Sequence, residues 1–212
     1  MKKTILLLAT VAMLVACSQT EPQPAASDPA EAVMANILNR KSVRSYTSDT
    51  IPAAVMENLL RAAMAAPSGR DIRPWSFVVL TDTARYDEIF GDNFNMRMYK
   101  QSAAVVVICA DTTVVRPPRD NPDAPAVQQP NGTWRDDMGA VTENLLLAVE
   151  AYGLGACWTA CYPYVDRMAP VKKALGLPAT VVPYCVVPIG YPGGGEQPKD
   201  KWDSSRIHYN QW

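Results

Sequence analysis

Apolar and polar positions along the chain follow two periods. From Asp28 to Arg40, Val33, Ile37 and Leu38 recur at helical spacing, with Asp28 placed as an N-cap and Pro29 in the first turn, which predicts a helix. The next stretch, KSVRSYTSDT, is too polar and β-branched for a helix interior. Pro52 opens a second predicted helix, PAAVMENLLRAAMAA, with Val55, Leu59, Leu60 and Ala63 on one face and a stop at Pro67-Ser68-Gly69. WSFVVL and AAVVVICA read as buried strands, with short helices between them in DTARYDEIFG and from Asn95 to Gln101.

The segment TTVVRPPRDNPDAPAVQQPNG holds five prolines and little core material. It is longer than most connections inside a domain, and is expected to be a lid, a binding loop or disorder. WRDDMGAVTENLLLAVEAYG is the longest helical pattern, ended by Gly153 to Gly155. GACWTACY is strand-like, and VDRMAPVKKALG reads as a helix interrupted by Pro170. TVVPYCVVPIGYP reads as a strand whose prolines put it near an edge or at bulges. The tail, KDKWDSSRIHYNQW, is charged and aromatic without a core period. Valine-rich strands separated by helices predict an α/β or α+β layered domain. No Gly-x-Gly-x-x-Gly or phosphate-loop pattern follows a strand, which disfavours a Rossmann nucleotide site.

Ahead of the domain, Lys2 and Lys3 precede the apolar run Thr4 to Val15. That run is shorter than the ~20 residues a membrane-spanning helix needs. With Ala16 before Cys17 it reads as a secretory signal, and LVAC resembles a bacterial lipobox. The expected organisation is a signal peptide at residues 1–16, a lipidated Cys17 opening a flexible tether at 17–30, and a folded domain at 31–212. The alternative is an ordinary signal cut nearby with Cys17 incidental. The lipobox reading predicts an exported lipoprotein anchored on the periplasmic or outer-membrane side. Lys2-Lys3 in place of paired arginines predicts export of an unfolded chain, so any cofactor is acquired after translocation.

Charge and composition narrow the chemistry. The net charge of −1 becomes near −3 when Lys2 and Lys3 leave, and no basic cluster of the kind that holds nucleic acid is present. The one histidine, His208, weighs against a histidine metal site or a Ser-His-Asp triad. Apart from Cys17, the cysteines are Cys109, Cys157, Cys161 and Cys185. An even number in an exported chain invites a disulfide reading. Their place in or beside apolar runs favours buried thiols acting as small hydrophobes.

The densest set of anion-binding groups is RKSVRSY, Arg40 to Tyr46. If this segment leaves the helix extended, Arg40, Ser42 and Arg44 project to one side. Two guanidiniums and a hydroxyl suit a phosphate monoester. Short basic runs are also common on solvated surfaces, and the pattern alone leaves both readings open.

RKSVRSY followed by a helix and APSGRDIRPWSFVVL, then WRDDMGAVTENLLLAVEAYGLGACW, VVPIGYP and KDKWDSSRIHYNQW, resembles the nitroreductase family of FMN-dependent oxidoreductases from about Val33 to Trp212. The resemblance implies an α+β, three-layer fold with a mixed central sheet flanked by helices. It also implies a homodimer and one FMN per subunit at the dimer interface. By the same resemblance Arg40, Lys41 and Ser42 contact the phosphate and ribityl chain, and Arg44 lies near flavin N1 and O2. A fixed cation there stabilises the negative charge that reduction places on the ring. Pro67, Ser68 and Gly69 match the loop that reaches the flavin from the partner subunit, and Asn95 matches a polar flavin contact. Ala160 and Cys161 match the place where backbone N–H groups face N5 and O4. Gly190, Lys201 and Arg206 match the phosphate end.

Departures from the family pattern are Asp71 and Arg73, where many relatives carry Asn and Gln. An aspartate near the ring disfavours its reduced anion unless Arg73 or Arg44 offsets the charge. Trp75 and Trp158 are read as core, and Asp136, Asp137 and Glu143 as a solvated or interface face of the long helix. The resemblance implies two-electron transfer from a donor through FMN to a nitroaromatic, quinone or similar planar acceptor, with ping-pong kinetics. NAD(P)H is expected to serve as donor in vitro, and a membrane-held quinol or reduced flavoprotein in the cell. The alternative is a non-catalytic lipoprotein binding a flavin or another planar ligand.

Overall fold

The computed structural model of the protein describes residues 28–212, so the predicted signal peptide, Cys17 and the tether up to residue 27 lie outside the described residues. The elements are α1 (Pro29–Asn39), α2 (Ala53–Met64), β1 (Trp75–Leu80), α3 (Tyr86–Phe90), α4 (Met96–Gln101), β2 (Ala104–Asp111), β3 (Thr113–Arg116), β4 (Val127–Pro130), α5 (Trp134–Ala151), β5 (Gly155–Ala156), β6 (Thr159–Ala160), α6 (Val165–Ala174) and β7 (Val181–Gly190). Asp28 caps α1 as the sequence predicts, its carboxylate accepting the Ala30 N–H at 2.9 Å.

β2 is buried along nearly its whole length because its alternating side chains feed two cores. Val106, Ile108 and Ala110 join Leu59 of α2 and Met138 and Leu145 of α5. Val105, Val107 and Cys109 join Tyr86 and Phe90 of α3, Tyr99 of α4 and Val171 of α6. Helices therefore cover both faces of the sheet, the three-layer α+β arrangement expected. Truncating a fully buried side chain such as Leu145 to alanine costs roughly 2–5 kcal/mol.

The sheet runs β1-β2-β7-β5, with β6 also on β7, and these pairings are all antiparallel. The mixed character predicted for it reduces to one isolated parallel bridge between Ser42 and Ala156. There the chain from α1 lies beside β5 for a single residue, held by the Val43 N–H on the Ala156 carbonyl at 2.9 Å.

One strand expectation is corrected and two are narrowed. β1 is a half-buried edge strand rather than a buried one. β7, whose prolines predict an edge position or bulges, is central and places its prolines at irregularities. Pro183 falls where the register with β2 shifts between Ile108 and Cys109. Pro188 falls opposite the gap between β5 and β6, where its carbonyl accepts the Cys157 N–H at 3.4 Å. A strand donates each N–H to one side only, so proline is tolerated where that side is interrupted. Finally, the proline-rich segment, expected to be a lid, a binding loop or disorder, contains a hairpin, β3 on β4, which removes the disorder alternative. Its base is fixed by the Asn131 N–H on the Thr112 carbonyl at 2.9 Å.

Cys109, Cys157, Cys161 and Cys185 are free and buried. Trp75 and Trp158 pack against the first core. The apolar stripe of α1 faces outward instead, with Val33, Met34, Ile37 and Leu38 exposed.

Candidate functional site

The segment after α1 brings Arg40, Ser42 and Arg44 to one cavity, as alternation predicts, and Lys41 joins them there. Val43 and Tyr46 turn inward as core, Tyr46 donating its hydroxyl to the Val43 carbonyl at 2.7 Å and lying near the Pro188 carbonyl at 3.2 Å. Arg40, Lys41, Ser42 and Arg44 line a cavity of about 420 Å³, closed on the far side by Glu196, Gln197, Lys199 and Lys201. Arg40, Lys41, Arg44, Lys199 and Lys201 oppose the single carboxylate of Glu196 among the lining residues. That balance attracts a multiply charged anion.

Several hydrogen bonds shape this cradle. Glu143 and Glu150 of α5 hold Arg40 at 2.9 Å and Lys41 at 3.3 Å. The backbone N–H of Arg44 donates to Glu196 Oε1 at 2.9 Å, so a carboxylate already occupies an anion position in the cradle. The closing arm reaches back through Gly193, Gly194 and Gly195. Gly194 and Gly195 have φ of +98° and +97°, which residues with a side chain rarely adopt. At Gly193 an added Cβ would lie 2.7 Å from Ser45 Oγ. Beneath the cradle, burial pushes the Cys157 thiol up against the pull of the Arg44 guanidinium and the Ser42 and Thr159 hydroxyls.

The other predicted positions lie elsewhere in this chain. Pro67, Ser68 and Gly69 follow α2, and the Gly69 N–H donates to Asp137 Oδ1 at 2.8 Å. An added Cβ at Gly69 would lie 2.4 Å from Thr133 Oγ1, so the glycine permits this close approach. Asp137 is thus buried and structural rather than part of a solvated face, because it anchors the Ser68-Gly69 loop to the start of α5. Asn95 is the exposed N-cap of α4 and accepts the Met98 N–H at 3.3 Å. Gly190 is buried against Tyr46 and Arg206 is exposed and paired with Asp203 at 2.9 Å, so neither lines the cradle here. Lys201 does line it.

At the predicted ring contact the two residues differ. The Cys161 N–H is spent on the Tyr184 carbonyl at 3.1 Å, and its thiol lies in the second core, where burial pushes it up to about 12. Alternation along β6 then turns the Ala160 N–H away from β7, and the Ala160 carbonyl accepts from Arg167 at 2.8 Å. Asp71 and Arg73 form an exposed ion pair, and that hydrogen bond holds the Asp71 carboxyl below the usual carboxylate range. The charge that the aspartate brings to this loop is therefore offset within the loop itself.

Sequence reasoning missed Glu196, Gln197 and Lys199. The available signal was the Gly193–Gly195 turn directly after β7, which folds the following charged residues back across the RKSVR segment.

These features define a three-layer α+β protein with a cationic cradle at one edge of an antiparallel sheet. The nitroreductase family profile matches residues 37–112 and 88–191, and the chain belongs to that family. A Methanothermobacter thermautotrophicus protein named as an NADH dehydrogenase/NAD(P)H nitroreductase is 31% identical over 180 residues, 85% of this chain and 87% of that one. The NADPH-flavin oxidoreductase of Vibrio harveyi is 26% identical over 83% of this chain and 72% of its own. The crystal structure of a Bacteroides thetaiotaomicron protein, also named as an NADH dehydrogenase/NAD(P)H nitroreductase, superposes with a TM-score of 0.74 at 41% identity, covering 85% of this chain and 98% of that one.

Proposed function

We propose that this protein is an FMN-dependent oxidoreductase that moves two electrons from a donor to a planar acceptor, a nitroaromatic or a quinone, in a ping-pong cycle. The observation that carries the reading is the convergence of Arg40, Lys41, Ser42 and Arg44 with Lys199 and Lys201 around one cavity, in a chain of the nitroreductase family. This donor set fits a phosphate monoester, with planar guanidinium forks, point-charge ammoniums and one hydroxyl donor. FMN, when bound, supplies the reversible two-electron chemistry. Arg40, Lys41 and Ser42 hold its phosphate and ribityl chain, and Arg44 places a fixed cation beside the ring. The name of the Vibrio harveyi relative supports a flavin and a nicotinamide donor, and NAD(P)H is the donor of choice in vitro.

We further propose a homodimer, in which the Ser68-Gly69 loop of one subunit completes the ring site of the other. The exposed apolar side chains of α1 and of the tail, Trp202 and Tyr209 among them, support it. Beyond the described residues, the LVAC pattern supports a lipid on Cys17, and tethering raises the local concentration of enzyme near a membrane-held donor. A Cys17→Ala variant with a cleavable signal is expected to turn over normally in vitro but reduce acceptors poorly in whole cells. Equal whole-cell rates at matched abundance would overturn the membrane donor.

The purified protein is expected to be yellow, to bleach with NAD(P)H or dithionite and to regain colour on adding a nitroaromatic or a quinone. A yellow protein that never turns over is instead a flavin-binding lipoprotein without catalysis. A colourless protein that FMN does not reconstitute overturns both readings.

A further inference from the structure

A second cationic concavity lies away from the cradle. Arg70, Arg116 and Arg119 line a cavity of about 230 Å³ together with Pro117, Pro118 and Pro122, and no carboxylate lines it. Among the described residues, none of these three guanidiniums has a hydrogen-bond or ion-pair partner. The other arginines do, apart from Arg97. Arg40, Arg61, Arg73, Arg85 and Arg206 meet carboxylates. Arg44 and Arg167 reach carbonyls, and Arg135 reaches the Tyr162 hydroxyl. Asp120 and Asp123 in the same loop are exposed and form no ion pair with the trio.

The scaffold holds the three charges together rather than letting them spread. Gln129 Nε2 donates to the Arg116 carbonyl at 2.9 Å and to the Pro117 carbonyl at 3.3 Å. The Asn121 N–H closes a turn on the Pro118 carbonyl at 3.2 Å. Arg70 keeps a left-handed backbone, with φ of 55°, in the loop that Asp137 ties to α5. Desolvation and the charges of Arg70 and Arg119 all weigh against the Arg116 cation. Like charges gathered in one concavity without a counter-ion are unfavourable, and an anion that enters relieves the repulsion.

We propose that Arg70, Arg116 and Arg119 form an anion subsite that takes the carboxylate or phosphate group of a small substrate. Arg70 follows the Ser68-Gly69 loop directly, so the subsite flanks the ring site that this loop serves. That placement rests on the flavin reading above. The shared chemistry is a terminal oxyanion group, whose source is either an acidic acceptor or the 2′-phosphate of NADPH.

The test uses the purified full chain and three variants. Arg70→Gly removes the guanidinium while suiting the left-handed backbone, Arg116→Gln keeps a polar side chain, and Arg119→Ala changes an exposed residue. Thermal melts confirm folding. Calorimetric titration with 4-nitrobenzoate and with adenosine 2′-phosphate reads binding without activity. Turnover compares 4-nitrobenzoate with 4-nitrobenzyl alcohol, and NADPH with NADH. The Arg116→Gln change is expected to weaken one charged probe by about tenfold or more. KM for the matching charged substrate should rise alike, with kcat and the neutral partner unchanged, and higher salt should mimic the variant. A selective effect in the acceptor arm or in the NADPH arm supports the subsite and names its source. Binding of neither probe by the native protein, or equal effects on charged and neutral partners, overturns it. Lost probe binding in a protein that holds no flavin sustains the anion subsite while removing the flavin reading.

Discussion

The backbone N–H of Arg44 donates to Glu196 Oε1 at 2.9 Å across the cationic cradle. A carboxylate from the arm that follows β7 thus sits among the cations that the proposed function assigns to the FMN phosphate. The two negative groups repel each other. At ~4 Å in a water-like medium that repulsion is about 1 kcal/mol per pair of unit charges. Glu196→Gln keeps an oxygen for the Arg44 N–H and removes the charge. Its FMN affinity is therefore expected to rise about fivefold, read from quenching of flavin fluorescence at limiting FMN. Unchanged or weaker binding would show that Glu196 swings clear of the phosphate.

Arg40 and Glu143 give a test of which cradle contacts reach the ligand. Arg40 Nε meets Glu143 at 2.9 Å, so this carboxylate orients the guanidinium while lowering the cradle's net charge. Loss of a charge-assisted hydrogen bond to a phosphate costs about 1.5–3 kcal/mol, so Arg40→Ala is expected to weaken FMN about tenfold or more. Ser42→Ala removes a neutral donor and is expected to cost less. Glu143→Ala keeps the cation and is expected to hold FMN within a few-fold of the native chain. Full flavin occupancy in Arg40→Ala at limiting FMN would remove Arg40 from the site.

The elements read most directly from the sequence are those whose period is long or unbroken. α5 and β2 are examples, since their apolar positions match helical spacing and a strand with both faces covered. The hairpin β3–β4 escaped because Pro117, Pro118, Pro122 and Pro125 dominate the composition between two short strands. The prolines of β7 fit an edge or a bulge equally well, and only the register with β2 and the gap between β5 and β6 show that bulges and gaps accommodate them in a central strand. RKSVRSY gave half of the cradle, because four of its residues share one short segment. The closing arm was hidden by a glycine turn that brings distant residues back. Arg70 and Arg116 are likewise far apart in the chain, and only the hairpin's position beside the Gly69 turn joins them.

The buried thiols predict how the fold responds to alkali. Burial pushes Cys109 and Cys161 from the ordinary 9.0 up to about 12. Between those values the unfolded chain gives up the thiol protons while the folded chain keeps them. The folded state then binds more protons, so stability is fully present below pH 9 and falls as pH rises toward 12. Each buried thiol contributes about 1.4 kcal/mol of loss per pH unit in that window. Cys109→Ala is expected to be less stable at pH 8, because it leaves a small cavity, yet to lose less on going to pH 10.5. Thermal melts of both proteins at the two pH values check this, and parallel losses would exclude Cys109 as a source.

The proposed dimer gives the tail a testable part in both assembly and cofactor retention. Among the described residues, Trp202, Tyr209 and Trp212 are 75%, 82% and 100% exposed in the single chain. Indole and phenol rings exposed at this density suit the interface proposed above. Lys201 joins this tail to the cradle wall, and Trp202 lines the neighbouring cavity with Ile37 and Leu38 of α1. Ile37 and Leu38 of α1 and Trp202 of the tail therefore share one cavity wall beside the cationic site, among the charged Arg40, Glu143, Lys199, Asp200 and Lys201. If a second copy of the chain covers it, deleting Lys201 to Trp212 removes contacts from both the dimer and the cradle. Sedimentation is expected to shift toward monomer, and the protein to lose flavin on dilution. The change Trp202→Ala, which leaves Lys201 in place, is expected to weaken the dimer first and flavin retention only as the dimer dissociates. Unchanged sedimentation with unchanged colour in the truncated chain would separate the tail from both roles.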